Sequence, residues 1–290
     1  MMKQGKVCVM LLFLLVALGM AQVAGAQGAA EVRKQTEASL RVTGAIHIAT
    51  DGVVEQVVLD TPEKLPAGIA DFVTRNVMTW QFEPTVVDGE PRRAMTLVSA
   101  LLVGKSVGDG KMQVAIRAAD FSDGKAVPQD EQITGRVMTP PRYPMGPAQS
   151  GAQGTAYLLV RIKRDGTVDD VATEQVNLRI VSNEAQMAQY RKRFADAAME
   201  AARKWKFVPP TAGEQANQPY WLARVPVDFA FQNAQRYGKW EVYIPGPRTR
   251  PAWATDEDAP GFSPDALAEG GIHLAGEKRG PKLLTPLDGA

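Results

Sequence analysis

The 290-residue sequence predicts an α+β fold in which two tandem units each pack a helix on a small antiparallel sheet. A Trp-x-Phe-x-Pro motif occurs twice, at residues 80–84 and 205–209. An Asp-Gly pair flanked by alternating apolar residues precedes each motif, and a helix-like stretch lies between the pair and the motif. Because the elements follow the same order both times, the sequence indicates an internal duplication.

The hairpin of each unit is predicted from residues 44–59 and 154–173, the second of which starts at Gly154. Each stretch has two alternating strands joined by an Asp-Gly pair. A tight primed turn needs positive φ at its central residues, and glycine adopts such φ at little cost. We therefore expect primed turns at these pairs, which are Asp51-Gly52 and Asp165-Gly166.

The helix of the second unit is predicted over residues 184–205 and that of the first over residues 66–80. Both show apolar residues at a spacing of three to four, which places them on one helix face. The stripe in the second unit consists of Phe194, Ala198, Ala201 and Trp205. The stripe in the first unit consists of Ile69, Phe72, Val73 and Val77.

The Trp-x-Phe-x-Pro motif itself is typical of core packing. Trp205 and Phe207 are two residues apart in a strand-like stretch, so their side chains point to one face and can close the helix onto a sheet. Pro209 ends the stretch because it cannot donate a ladder hydrogen bond. The corresponding residues of the first unit are Trp80, Phe82 and Pro84.

Strands are expected after each motif, at residues 95–103 and 221–231. A further pair of matching segments follows them: GKMQVAI at residues 110–116 and GKWEVYI at residues 238–244. The expected domains are a signal peptide at 1–26, a degenerate first unit at 40–118, a linker at 119–142, a second unit at 143–246 and a tail at 247–290. The tail is rich in Pro and Gly and lacks hydrophobic periodicity, so we expect it to be disordered.

The N-terminus has the order of a secretory signal peptide. Lys3 and Lys6 precede an apolar run at residues 7–20, and small residues at 24–26 match the Ala-x-Ala cleavage pattern. Cleavage after Ala26 would deliver the chain to the periplasm. The alternative is an uncut anchor in the inner membrane, although the run is shorter than the roughly 20 residues that span a bilayer.

Composition excludes several classes of function. The net charge is +1, with cations and anions interspersed, so neither a nucleic-acid surface nor an anionic-membrane surface is expected. Cys8 is the only cysteine, and His47 and His273 are the only histidines, so no disulfide, thiolate site or His-based triad is predicted. Asp169 and Asp170 are adjacent in a predicted strand, so their side chains point to opposite faces and do not form a pair of carboxylates at one site. We expect no catalytic or metal site, no cofactor and no small-molecule substrate.

The second unit resembles the C-terminal domain of the TonB energy transducers of Gram-negative bacteria. The matching elements in chain order are Tyr143-Pro144, Gly154, the strand YLLVRI, Asp165-Gly166, Trp205-Lys-Phe-Val-Pro, Gly213 and Val225-Pro-Val-Asp-Phe. They cover about residues 138–231. The first unit, at about 40–104, is a degenerate relative that lacks the Tyr-Pro and Val-Pro-Val elements. The resemblance implies a helix packed on about three antiparallel strands.

The resemblance also implies a binding function. The family pairs an edge strand with a short peptide of an outer-membrane transporter, through a mode in which main-chain hydrogen bonds give affinity and side chains give specificity. Its partner-contacting stretch follows Tyr143-Pro144 and here includes Gln149, one place from the expected position. The expected partner is an envelope protein or transporter peptide, and a homodimer stays open because exposed strand edges can pair.

Two functions remain as alternatives. The first is a non-catalytic TonB-family envelope protein that binds a partner by strand addition and serves energy-dependent outer-membrane transport. The second is a soluble periplasmic scaffold or peptide-binding module without an energy-transducing role. The cleavable N-terminus favours the second, as does the short distance between signal and first unit, since a periplasm-crossing spacer needs many tens of residues.

Overall fold

The computed structural model describes residues 28–108, 111–122, 128–231, 237–254, 262–267, 271–275 and 280–287. The predicted signal peptide lies outside the described residues, so its cleavage stays a prediction. Within the described ranges, no helix is long and apolar enough to cross a membrane. The fold is α+β with antiparallel sheets, as the sequence predicts.

The first sheet has five antiparallel strands drawn from two distant parts of the chain. Its strands are β1 (Glu37–Ile48), β2 (Val54–Leu59), β5 (Ala94–Gly108), β6 (Lys111–Ser122) and β12 (Glu241–Tyr243). Strand β1 pairs with β5 along its whole length, while β2 and β12 share its other edge. A short hairpin of β3 (Thr85–Val87) and β4 (Glu90–Arg92) precedes β5. Helix α1 (Ala29–Lys34) precedes the sheet, and α2 (Ile69–Val77) packs on one face.

The second sheet has the strand order β13-β11-β8-β9. Its strands are β8 (Gly154–Lys163), β9 (Val168–Leu178), β11 (Tyr220–Phe229) and β13 (His273–Leu274). Helix α3 (Met145–Gln149) precedes β8, and helix α4 (Glu184–Ala202) packs on one face of the sheet. The Asn183 side chain caps α4 by accepting a hydrogen bond from the Gln186 amide at 2.9 Å.

The stretch predicted as a linker contributes a strand of its own. Strand β7 (Thr134–Val137) pairs with β10 (Lys206–Val208), the short strand that contains the second Trp-x-Phe motif. The linker is therefore bound to the second helix-and-sheet layer along part of its length.

Each sheet has its own hydrophobic core on the helix side. The second core buries Met187, Tyr190, Phe194, Ala198 and Ala202 from one face of α4. The buried residue in the last turn is thus Ala202, where the sequence stripe predicted Ala201. The helix also ends three residues before Trp205, because the chain turns there to start β10.

The two Asp-Gly hairpins differ from the predicted primed turn. Gly52 and Gly166 have φ of +87° and +80°, whereas Asp51 and Asp165 do not have positive φ. The Gly166 amide donates to the Lys163 carbonyl at 2.9 Å. This hydrogen bond is typical of a three-residue hairpin loop that ends in a left-handed glycine at a β-bulge. The primed two-residue turn occurs instead between β3 and β4, where Asp88 and Gly89 both have positive φ, 53° and 80°.

The aspartate of each hairpin stabilises this turn. Asp51 Oδ1 accepts from the Val53 amide at 3.1 Å, and Asp165 Oδ1 accepts from the Thr167 amide at 2.9 Å. The Thr167 hydroxyl and amide donate to Asp165 and lower the pKa of its carboxyl. A carboxylate that accepts from the amide two residues ahead fixes the first half of the turn, so only the glycine needs positive φ.

The two matching Gly-Lys segments take different positions. The first forms β6, which pairs with β5 from Leu97 opposite Ser122 to Gly108 opposite Lys111. The second forms β12, which leaves the second sheet and pairs with Glu37, Ala38 and Ser39 of β1. Strand β2 pairs with β1 only from residue 44 onward, so the start of β1 has an edge to accept β12.

The predicted disorder of the tail does not hold for its described segments. Strand β13 pairs with β11, and Leu283 forms a bridge to Phe82 beside the first core. The Thr249 amide donates to the Glu174 carbonyl of β9 at 2.7 Å. These segments lack periodicity because they bind edges and faces of existing sheets through isolated residues, without forming a repeated strand or helix face of their own.

Candidate functional site

Both Trp-x-Phe motifs are fixed to their hairpin glycines by the same contacts. The Phe82 amide donates to the Gly52 carbonyl and the Phe207 amide to the Gly166 carbonyl, each at 2.8 Å. A Cβ added to Gly52 would lie 2.0 Å from the Phe82 carbonyl oxygen, and one added to Gly166 would lie 2.1 Å from that of Phe207. The Asp-Gly turn and the aromatic motif therefore occur together because the phenylalanine backbone packs closely against the glycine and hydrogen-bonds to it.

The aromatic residues of the motifs belong to the cores. Trp80, Phe82, Trp205 and Phe207 are all buried. In each motif the two rings meet edge to face with centroids 6.4 Å apart. A Cβ added to Gly166 would also lie 3.3 Å from Cδ of Pro209, whereas Pro84 is exposed.

Tyr143 is held in an aromatic cluster beside the end of β11. Its ring meets Phe194 and Phe229 edge to face and stacks on Phe231 with centroids 4.9 Å apart. Its hydroxyl donates to the Ala152 carbonyl at 2.5 Å, and burial raises the pKa of Tyr143. These contacts give Tyr143 a supporting role for the end of β11.

Pro144 and Gln149 delimit the short helix α3. Pro144 is the residue before its first turn, and Gln149 is its exposed last residue. Met145 on the same helix is 71% exposed, and Phe231 just beyond β11 is 53% exposed. Gly154 begins β8, and its Cα approaches the Asn177 carbonyl so closely that an added Cβ would lie 2.4 Å from that oxygen.

The outer edge of β11 is the part of the second sheet where another strand can be added. Its inner edge pairs with β8 without a bulge, from Tyr220 opposite Lys163 to Phe229 opposite Gly154. The Leu222 carbonyl accepts from the Ala275 amide at 2.8 Å, so the even-numbered residues of β11 direct their backbone groups outward. Pro226 is one of them, and it fits this edge because its missing N–H faces away from β8.

The pairing partner on this outer edge is short. Strand β13 matches only Ala223 with Leu274 and Arg224 with His273. Among the described residues no strand pairs with the outer edge of β11 beyond Arg224, which leaves the outward backbone groups of Pro226 and Asp228 at that edge. This segment lies beside the Tyr143 cluster through Phe229.

The outer edges of β5 and β9 have fuller partners than the outer edge of β11. The outer edge of β5 is occupied by β6. The outer edge of β9 is covered by the chain after β12, through reciprocal hydrogen bonds between Leu178 and Ile244 at 3.0 and 2.7 Å and through Thr249. Within the described ranges β6 pairs on one side only.

A buried ion pair lies on the face of the second sheet opposite α4. Arg224 donates to Glu174 of β9 at 2.6 and 3.1 Å, and both side chains are at most 5% exposed. The Phe262 ring from the tail covers the guanidinium at 4.4 Å. The side chain of Arg224 is thus fixed on one face while its backbone forms part of the outer edge.

A cleft of about 350 Å³ lies between the two sheets. Arg179 at its wall contacts Glu241 of β12 at 3.2 Å and also binds Asp228 of β11. Arg41 of β1 donates to the Ser99 hydroxyl and to the Leu267 carbonyl, both at 3.0 Å. These contacts join the sheets and the tail, so the charged groups of the cleft are structural.

A second buried charge cluster surrounds Glu37 at the junction of β1 and β12. Its carboxylate accepts from Arg117 at 2.8 Å, from Lys105 at 2.9 Å and from the Tyr243 hydroxyl at 3.0 Å. Burial alone would raise the pKa of Glu37, but the hydrogen bonds from Arg117 and Lys105 outweigh it and the pKa is lowered. Burial, together with the negative charges of Asp265 and Glu37, raises the pKa of Tyr243.

Neither charge cluster was identified from the sequence. Arg224 stands alone in the apolar strand WLARVPV, which could have signalled a buried cation that needs a carboxylate. No local pattern indicates that its partner is Glu174, since the pairing depends on strand order. In the described part of the chain, no group of three or more His, Cys, Asp or Glu side chains could hold a metal.

Comparison with known proteins adds to this geometry. Residues 139–231 match the family model of the Gram-negative bacterial TonB protein C-terminal. The chain is 36% identical over 99 residues to Protein TonB of Xanthomonas campestris pv. campestris strain B100, and equally to that of strain ATCC 33913. The aligned stretch is 34% of this chain and 38% of each relative. Residues 139–231, which contain α3, β8, β9, α4, β10 and β11, therefore form a TonB C-terminal domain.

Proposed function

We propose that this chain is a non-catalytic cell-envelope protein that binds an extended segment of another envelope protein by adding it to the outer edge of β11. The observation that carries the proposal is the short pairing of that edge, which among the described residues ends at Arg224 although β11 continues to Phe229. An unpaired run of backbone groups at a sheet edge is a template for another strand. The match to the TonB C-terminal family supports the same mode of binding.

The surroundings of the edge support a peptide partner. Phe231 exposes apolar surface just beyond the end of β11, where Tyr143 stacks on it, and Met145 is exposed two residues after Tyr143. Apolar side chains beside an open edge can receive alternate side chains of an added strand, which supply specificity. Gln149, exposed at the end of α3, is a further candidate contact.

An internal duplication is part of the proposal. The equal glycine–phenylalanine hydrogen bonds and the equal Trp–Phe geometry of the two motifs support it. In the first copy β6 fills the edge that corresponds to that of β11. We therefore assign partner binding to the second copy and a structural role to the first.

A pair of matched variants tests strand addition at the edge. Asp228→Pro removes the outward amide of β11, whereas Asp228→Ala keeps it. Both variants lose the side-chain contact with Arg179, so they differ only in the backbone amide and the proline ring. We expect peptides copied from outer-membrane transporters to shift the β11 amides in NMR spectra of the wild-type chain and the Ala variant only. Equal binding by both variants, or shifts confined to other strands, would reject the proposal.

The soluble periplasmic module is the second candidate, and the apparent cleavage site at residues 24–26 favours it. Cell fractionation and the mass of the mature chain separate it from an anchored transducer. A chain beginning at Gln27 in the soluble periplasmic fraction supports the module. A full-length chain in the inner membrane supports the transducer.

A further inference from the structure

The outer edge of β11 is partly occupied by the chain's own tail. We call residues 271–275 the edge segment. It pairs Leu274 with Ala223 and His273 with Arg224, and the Ala275 amide donates to the Leu222 carbonyl at 2.8 Å. It thus makes the main-chain contacts that an added strand would make.

Two side chains of the edge segment also enter the second core. Ile272 and Leu274 are two residues apart and both pack against the buried residues of that core. Ile272 lies beside β7, since a Cβ added to Gly135 would be 3.5 Å from its Cδ1 atom. The pattern of apolar residues at positions i and i+2 places both on the helix side of the sheet.

The edge segment is weakly attached compared with the strand at the corresponding edge of the first sheet. Among the described residues, β6 pairs with β5 along eleven register positions, whereas β13 pairs with β11 at two. All five residues of the edge segment are partly exposed. Segments with few buried contacts and exposed backbone hydrogen bonds open with small free energies.

We propose that the edge segment is an internal occupant of the binding edge and that the partner is an extended peptide with apolar residues at i and i+2 that replaces it. This inference rests on the proposed strand addition to β11. The partner peptide would take over the contacts of Leu274 and Ile272 with the core and continue past Arg224 along the unpaired part of β11. The apparent affinity for the partner peptide is then lowered, because only chains in which the edge segment has left β11 can bind the peptide.

The experiment uses the full chain and a fluorescent peptide of sequence AEGGIHLAGE, which copies residues 268–277. The matched control peptide replaces the Ile and Leu by Asp. One variant carries Ile272→Asp and Leu274→Asp, which weakens the edge segment. A second variant carries Ala223→Cys and Leu274→Cys at a non-hydrogen-bonded pair, where strand spacing suits a disulfide.

We expect the Asp variant to bind the peptide at least about tenfold more tightly than the wild-type chain, because the competing occupant is weakened. The oxidised cysteine variant should lose binding, and reduction should restore it. The control peptide should bind none of the forms. Calorimetric melting of each form verifies that the sheet is intact.

Three results would overturn the inference. If the Asp variant binds no more tightly than wild type while Asp228→Pro still abolishes binding, strand addition at the edge stands and the occupant role fails. If the oxidised and reduced cysteine forms bind equally, the peptide does not replace the edge segment. If no form binds any strand peptide, the proposed function fails and the inference fails with it.

Discussion

Substituting Gly166 by alanine tests whether the turn glycine and the Trp-x-Phe motif act as one structural unit. The substitution forces an L-residue into φ +80° and places a methyl group 2.1 Å from the Phe207 carbonyl oxygen. The left-handed conformation costs about 1 kcal/mol. Relief of the clash displaces β10 and loses the hydrogen bond from the Phe207 amide, worth about another 1 kcal/mol, in addition to packing around the motif. With about 1 kcal/mol for the lost packing, the total loss should be about 3 kcal/mol.

Gly151 provides the matched control for this measurement. It also has positive φ, +67°, but a Cβ added there meets nothing within 4 Å. Gly151→Ala should therefore cost only about 1 kcal/mol, the conformational part. The assay is urea unfolding of the full chain, followed by tryptophan fluorescence because Trp205 of the motif is buried. Equal losses for the Gly151 and Gly166 variants would refute the close-contact explanation.

Three further predictions concern buried polar groups. Glu37→Gln should destabilise the fold by about 3 kcal/mol at pH 7, because it removes the charge that Arg117 and Lys105 contact. Since folding lowers the pKa of Glu37, the stability that its carboxylate contributes is lost as pH falls below the ordinary value of 4.5. Unfolding measured across acid pH should therefore show a flatter pH dependence for the variant than for the wild-type chain. Glu174→Leu alone should cost about 3–5 kcal/mol by leaving Arg224 unpaired, and adding Arg224→Met should recover most of it in a double-mutant cycle. Tyr143→Phe should cost about 1 kcal/mol in urea unfolding through loss of the hydroxyl contact with Ala152, and an unchanged stability would contradict the supporting role.

Local elements were predictable because their signals are local. The apolar spacing around Phe194 identifies α4, and the Asp-Gly pairs identify both hairpins. The turn class was missed because the Asp165 carboxylate accepts from the amide two residues ahead, which keeps Asp165 out of the left-handed region. That hydrogen bond requires only a following residue with an amide, so the sequence has no signal that separates it from a primed turn.

The route of β12 could not be predicted from its own residues. Its sequence matches β6, yet it pairs with residues 37–39 of β1. Two distant features decide this: β2 is short and leaves the start of β1 open, and Glu37 receives the Tyr243 hydroxyl there. Strand pairing of this kind depends on which edges the rest of the chain leaves free, and no local pattern records that.

The route of this one strand would also account for the functional difference that we propose between the two copies. In the first sheet, β6 follows β5 directly and covers its edge along eleven register positions. In the second sheet the matching strand joins the sheets, so among the described residues only two of the tail pair in register with the outer edge of β11. A displaced strand thus adds contacts between the sheets and at the same time leaves the outer edge of β11 beyond Arg224 without a partner strand among the described residues. The proposed binding edge is a consequence of how the sheets are joined, and strengthening β13 should reduce binding without altering either core.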